Sequence, residues 1–566
     1  MIMTIEGQDG PDGADGVGSG AMGQPGGPGQ DEAFTWVVGP VEGPDFQVRL
    51  NVLGGDGGDG GNGGGGADGG AGGAGGDASA TLTSAEVAAG EAESASLTAA
   101  AQGGDAGTGG AGGDGFNAGD GADGADGGDA LAQVLDSEVT TDGALAVIAI
   151  SALAAAGDGG AGGARGATGD PEGAPGTPGH GGDGGSALAR VQDVTVNGGD
   201  GAETLLFEAA ATGGGGGSAP LALFGGAGGE ATAEIVGNSA DTGRGADVVT
   251  LQTLATAGAG FGAGASGGAT TAIRDNHIDL GGQDDRLEIR LPEDFGEITG
   301  NTLVGGAGED LLSFEGSGRV FFSLRANTVR WIEAIEGSAN ADYFVGDVRA
   351  NSFDGGSGDD TILAGKGDDT LAGGEGDDTL DGGAGIDTAT YEGGGAVVVR
   401  LGQHTAVDAD GRDILRGVEN VLGAAGADDL RGDGDGNALS GGGGGDTLAG
   451  GAGADRLEGG EGADLLRGDG GADVFAFSVL ETGAVDRVAD LHANDWIDVS
   501  AIDAIAATAE DDAFVLVDSF SNTAGEMRLV QGPNAARLLL DVDGDGRADM
   551  VVELRGQHGD FDNFVL

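Results

Sequence analysis

Residues 355–390 read GGSGDDTIL-AGKGDDTLA-GGEGDDTLD-GGAGIDTAT. Four consecutive nonapeptides share, with small departures, the form Gly-Gly-x-Gly-x-Asp-x-apolar-x. Glycine lets a backbone take the left-handed conformations of a tight turn, so that carbonyl oxygens can point inward. The sixth-position aspartate adds a charged oxygen, the ligand type that calcium prefers. The last three residues extend, and the single apolar side chain turns into the coil. A turn that gathers carboxylates in this way folds only when a cation neutralises them.

The register continues in both directions. Six units run from Gly337 to Thr390, with Asp342, Asn351, Asp360, Asp369, Asp378 and Asp387 at position six. Six more run from Gly423 to Ala476, with Asp428, Asn437, Asp446, Asp455, Asp464 and Asp473. The asparagine falls in the second unit of each block, which marks them as duplicates. Each block follows a similar non-repeat segment, SFEGSGRVFFSL before the first and TYEGGGAVVVRL before the second. Units at 296–304 and 305–313 add Asn301 and Asp310. A flexible Gly-Asp linker would not keep an apolar residue at position eight. The pattern resembles the calcium-binding nonapeptide repeat of RTX proteins, which implies a parallel β-roll holding several Ca2+ ions. The aspartates above are the expected ligands, with Asn351 and Asn437 weaker candidates.

The 566 residues include 132 Gly, 95 acidic and 23 basic residues and no Cys. A long solenoid, whose coils bury residues only against their neighbours, suits so Ala-rich and aromatic-poor an apolar fraction. The net charge of −72 argues against nucleic acid or anionic lipid as partners, since both repel it. Without a cation the chain is expected to be expanded. The start, MIMTIEGQDGPDG, shows neither the basic nor the apolar stretch of a Sec-type signal. No segment approaches the ~20 apolar residues of a membrane span. Millimolar calcium points to an extracellular location, so export needs another signal.

After the second block come DRVADL…DWIDVSAID (486–503), AGEMRL (524–529) and DVDGDGRADMVVEL (541–554). Together with the paired blocks, residues 296–566 resemble the C-terminal domain of serralysin-type secreted metalloproteases. The resemblance implies calcium binding and an uncleaved C-terminal signal for a type I ABC-transporter channel. That signal ends in an acidic residue followed by apolar ones, here Asp562 with Phe564, Val565 and Leu566; Asn563 departs from the pattern. The peptidase half has no counterpart. Of the five histidines, His180, His277, His404, His492 and His558, none is followed by Glu and none stands near another, so the zinc-binding H-E-x-x-H helix is missing. Asp541, Asp543, Asp545 and Asp549 have EF-hand offsets with Gly546 at the turn, but Val552 replaces the closing glutamate. Two readings stand there: a further calcium loop, or an acidic turn between strands.

Residues 1–290 count in threes instead. From Gly54 to Asp77 the triplets are GGD-GGD-GGN-GGG-GAD-GGA-GGA-GGD, with further tracts at 103–129 and 157–186. Glycine at every third residue permits close packing of polyproline-II-like helices. The strict triplet favours a polyglycine-II-like bundle over disordered spacers. Between the tracts another rule holds. Twelve residues before Glu203, Asp247, Asp285 and Asp310 stand Val191, Ile235, Ile273 and Ile298, and two residues after the acids stand Leu205, Val249, Leu287 and Leu312. This half therefore reads as an elongated relative of the same solenoid, with glycine inserts extruded from one side. Asp247 and Asp285 are weaker metal candidates, and Ala146 at the equivalent position implies loss of ligation there.

The expected fold is all-β: a parallel β-roll behind a glycine-rich β-solenoid-like region. The segments are 1–290, a transition at 291–336, roll blocks at 337–390 and 423–476 joined by a connector at 391–422, and a C-terminal β domain at 477–566. Enzyme signals fail one by one. GASGG at 264–268 matches a nucleophile elbow only inside a glycine tract, and the sole lysine, Lys366, lacks the following Ser or Thr of a P-loop. The expected function is a secreted structural or adhesive calcium-binding protein that meets an ABC transporter, with a glycan or surface ligand as a candidate partner. The alternative is a polysaccharide-modifying enzyme with its site on the N-terminal solenoid.

Overall fold

The computed structural model describes residues 2–566 except 7, 9, 12–21, 38–40, 43–44, 64–66, 89–93, 113–117, 142–144, 168–175, 200, 221–224, 262–263, 292–296, 317–318, 392, 394, 481–482, 506–511 and 557–560. It forms two compact units, Met1–Glu333 and Ala334–Leu566. The first extends past residue 290 because Ile298, Leu303 and Leu312, all buried, stack on Ile273, Ile278 and Leu287 of the preceding coil.

Each coil of the first unit contributes three strands, as in Ala187–Gln192, Thr195–Asn197 and Ala202–Thr212. Equivalent strands of successive coils pair in parallel, giving three sheets. The register is the one the apolar spacing predicts: Val134, Val191, Ile235, Ile273 and Ile298 form one column. Ile148, Leu205, Val249, Leu287 and Leu312 form another. The middle strand is a feature absent from a two-sheet roll. Its corner turns on one left-handed residue per coil: Ser84, Asp136, Asp193, Gly237, Asp275 or Gly300, with φ between +45° and +71°. Apart from Ser84 these are Asp or Gly, which tolerate this conformation. Inward positions are often alanine, as at Ala80, Ala132, Ala189 and Ala233, so the coils need few aromatics.

The glycine tracts leave the third strand of one coil and return to the first strand of the next. They are hydrogen-bonded to one another as a packed array. Gly73 donates to the Gly58 carbonyl, Gly107 to Gly73 and Gly58 to Gly27, each at 2.8 Å. In the described triplets of 54–77 the third residue faces solvent and the middle residue is buried, which is the period of three in physical form. A Cβ on Gly107 would lie 2.1 Å from the Gly58 oxygen, whereas one on Gly268 would meet nothing within 4 Å. Gly107→Ala is therefore expected to lower unfolding stability by about 1–3 kcal/mol, the cost of overpacking. Gly268→Ala should change it little; equal denaturation midpoints for the two variants would contradict the packed array.

In the second unit each nonapeptide ends in a short strand, and strands two units apart pair in parallel: Phe344 with Ile362, Ile362 with Leu380, Phe353 with Leu371. Two sheets result, with every position-eight side chain inside. The connector adds Val398–Arg400, Thr405–Val407 and Arg412–Arg416 as antiparallel neighbours and meets the two blocks through parallel ladders. C-terminally, Asp486–Leu491 pairs in parallel with Met550–Gly556, which begins an antiparallel run with Ala536–Asp541 and Glu526–Val530.

Candidate metal centre

In the roll, positions two and four of a unit carry the turn. Gly374 and Gly376 have φ of +92° and +139°, and Gly460 and Gly462 have +94° and +133°. Side chains are disfavoured there, so the glycines are conformationally required. Position one needs glycine for a different reason. A Cβ on Gly373, Gly441 or Gly459 would stand 2.1–2.2 Å from Oδ2 of the aspartate in its own unit.

The aspartates form two columns in each block. The N–H of Asp342 donates to Oδ1 of Asp360 (2.6 Å), and that of Asp360 to Asp378 (2.8 Å). On the other side Asn351 donates to Asp369 (2.7 Å) and Asp369 to Asp387 (2.9 Å). The second block repeats this, with Asp428 to Asp446 to Asp464 on one side and Asn437 to Asp455 to Asp473 on the other. One oxygen of each interior carboxylate is thereby used. The other, Oδ2 of Asp360, Asp369, Asp378, Asp387, Asp446, Asp455, Asp464 and Asp473, is buried without a hydrogen-bond partner. Such a group is costly unless compensated. The donors on offer are carboxylates, with no Cys in the chain, a hard-oxygen set that fits calcium rather than a softer metal.

The first acids differ. Both oxygens of Asp342 bond Ser338, and Asp428 accepts from Ala424 and Val397. Asn437 is also satisfied, its Oδ1 by the Asp433 N–H and its Nδ2 by the Glu419 carbonyl. Asn351 is held in the same way by Asp347 and Ala350. These positions close the columns without an orphaned oxygen. At the far ends stand acids outside the nonapeptide register: Asp413 and Glu419 after the first block, Asp486 and Asp495 after the second. Each precedes an apolar residue by two positions (Leu415, Val421, Val488, Ile497), and this Asp/Glu-x-apolar triplet was the available signal. Oδ2 of Asp413 takes the Tyr391 hydroxyl at 3.0 Å.

Burial, with repulsion from neighbouring acids, pushes these carboxyls up: Asp360 to about 8, Asp446 to about 7, and Asp369, Asp378 and Asp473 to about 6. A folded-state value above the unfolded ~3.9 means that the folded calcium-free roll binds more protons. Its contribution to stability is complete below about pH 4 and is lost as pH rises through 6 to 8. Calcium-free protein is therefore expected to hold more β-structure at pH 5.5 than at pH 8.5, and calcium affinity should rise over that interval as protons are displaced. Circular dichroism at the two pH values, in EGTA, checks this; greater order at pH 8.5 would contradict it.

Near the C-terminus Asp541, Asp543 and Asp549 converge, with ligand atoms within 4.8 Å. Asp545 is not in this group. Loop amides reach both oxygens of Asp541 and one of Asp549: Gly544 and Gly546 donate to Asp541, and Val542 to Asp549. The cluster fits a calcium loop and an acidic turn alike. Phe564–Val565 pairs in parallel with Trp496–Asp498, and Phe564 meets Phe561 edge-on at 5.3 Å. Asp562, Val565 and Leu566 are exposed. Among the described residues no helix is long and apolar enough to cross a membrane.

The RTX calcium-binding nonapeptide repeat matches residues 354–389 and 440–475, in four copies. These repeats bind calcium ions, so the two blocks are calcium-binding β-roll elements. A search of curated proteins found no match. Among solved structures, the extracellular lipase LipA from Serratia marcescens matches at 17% identity and TM-score 0.15, over 40% of this chain and 40% of its own.

Proposed function

We propose that this is an extracellular calcium-dependent structural or adhesive protein, without catalytic activity, exported by a type I ABC transporter and folded by external calcium. The observation that carries the reading is the pair of buried carboxylate columns in each block, every interior member with one oxygen unpartnered. Low cytosolic calcium would leave the −72 chain expanded and threadable. Outside, binding to the folded form alone would draw the equilibrium over by mass action. The serralysin-like C-terminal segment supports the route, and the exposed face of the glycine array is the surface we assign to contact with a glycan or another surface.

In the folded chain Phe564 and Val565 are paired to Ile497 and Asp498, so a transporter would read them before folding. Deleting Asp562–Leu566 is expected to retain the protein inside cells while leaving calcium-induced folding of the purified blocks intact. Fusing residues 423–566 behind a slow-folding passenger should confer export. Normal secretion of the truncated chain, or a fusion that stays inside, would overturn the assignment.

A further inference from the structure

Three carboxylates of the first unit lie outside the residues matched by the repeat family, and their surroundings repeat the roll. Asp247, Asp285 and Asp310 stack along one edge of the solenoid. The N–H of Asp247 donates to Oδ1 of Asp285 (2.7 Å), and that of Asp285 to Oδ1 of Asp310 (2.9 Å). The three residues are 1–3% exposed, and Oδ2 of each is buried without a hydrogen-bond partner.

The backbone around them is that of the calcium turn. Counting back from Asp285 and Asp310, positions two and four are Gly281 (φ +91°), Gln283 (+90°), Gly306 (+117°) and Gly308 (+155°). Gln283 holds a conformation that glutamine rarely adopts. Position three of one turn bridges position three of the next, Gly282 to Ala307, as Ser357 bridges Glu375 and Gly443 bridges Glu461 in the roll. The turn amides follow suit. Ala307 donates to the Gly281 carbonyl and Gln283 to Ala307 (3.2 and 2.6 Å); Glu375 donates to Gly356 and Gly358 to Glu375 (2.9 and 2.7 Å). A Cβ on Gly305 would stand 2.4 Å from Oδ2 of Asp310, the position-one cradle again. The coil before, at Asp247, keeps the first of these features, with Gly243 at φ +88°.

Another edge of the same coils supplies the contrast. Asn238, Asn276, Asn301 and Asn327 stack in a ladder. Each Nδ2 of the first three donates to the next Oδ1 (3.0 Å) and to a backbone carbonyl. Where no ion is needed the coil uses asparagine and satisfies its polar atoms. Where it uses aspartate an oxygen is left over, and none of the three acids forms an ion pair with Arg among the described residues. From the positive-φ turns, their stacking bonds and the orphaned oxygens, we propose a further, one-sided column of calcium sites in the first unit, between the turns ending at Asp247, Asp285 and Asp310. Ala146, two coils before Asp247 in the same register, supplies no carboxylate, so the column stops short of it. Calcium would thus brace only the C-terminal coils of the glycine-bearing solenoid.

The test uses the full chain and calcium alone. Native mass spectrometry should count fewer calcium ions on Asp247→Asn/Asp285→Asn than on the wild type. Asparagine preserves the Oδ1 acceptor, so the variant should fold and, in EGTA, be at least as stable as the wild type in this unit. In the wild type, hydrogen exchange within 281–291 should slow on adding calcium, while 130–155 stays unchanged. An equal ion count with calcium-independent exchange at 281–291 would overturn the proposal. If residues 355–390 and 440–475 also ignored calcium, the reading of the roll itself would fail, a distinguishable result.

Discussion

Stripping calcium with EGTA is expected to unfold residues 337–476, removing most of their far-UV β signal and enlarging the hydrodynamic radius. Magnitudes decide this. Eight carboxylates in the blocks each carry a buried oxygen without a partner, and an uncompensated buried charge costs several kcal/mol even after relaxation. A domain's whole stability is about 5–15 kcal/mol. At pH 8 protonation relieves only the carboxyls pushed highest, so the roll cannot persist with its columns unneutralised. Returning calcium to about 10⁻⁴–10⁻³ M, the range of extracellular modules, should restore the structure in one cooperative transition. An unchanged spectrum and radius across the titration would refute the coupling.

Asp378→Ala is expected to weaken calcium binding by about tenfold or more, or at least about 1.4 kcal/mol, and to reduce cooperativity. Asp342→Ala should cost much less. The two occupy the same repeat position, but Asp378 sits inside a column. It accepts from Asp360, donates to Asp413 and leaves Oδ2 free for an ion. Both oxygens of Asp342 are held by Ser338 at the column's start. Calorimetric titrations of the two variants compare them directly. Equal losses would mean that the columns do not act as stacked, shared sites.

Much of this was legible in the sequence because periodicity is geometry. A nine-residue count with an apolar eighth position fixes strand, turn and inward face, and the twelve-residue offset from Val191 to Glu203 fixes the register of the first unit. What escaped was whatever broke the count. Asp413, Glu419, Asp486 and Asp495 follow their column neighbours at 35, 32, 22 and 22 residues instead of 18, so they fell out of phase although each keeps the local acid-x-apolar triplet. The middle strands, such as Thr195–Asn197, are two or three residues long and carry too little alternation to announce a third sheet. Asn238, Asn276 and Asn301 each stand three residues after Ile235, Ile273 and Ile298, but their role as a ladder depends on amide donors meeting the next coil. For Asp541–Asp549 spacing alone left two readings, and the convergence of Asp541, Asp543 and Asp549 is compatible with both.

The most direct measurement is an anomalous difference map from crystals of the full chain grown in calcium. Peaks are expected about 2.3–2.6 Å from Oδ2 of Asp360, Asp369, Asp378, Asp387, Asp446, Asp455, Asp464 and Asp473, the calcium–oxygen distance. A folded roll with no peak at these oxygens would contradict the claim that calcium completes its columns.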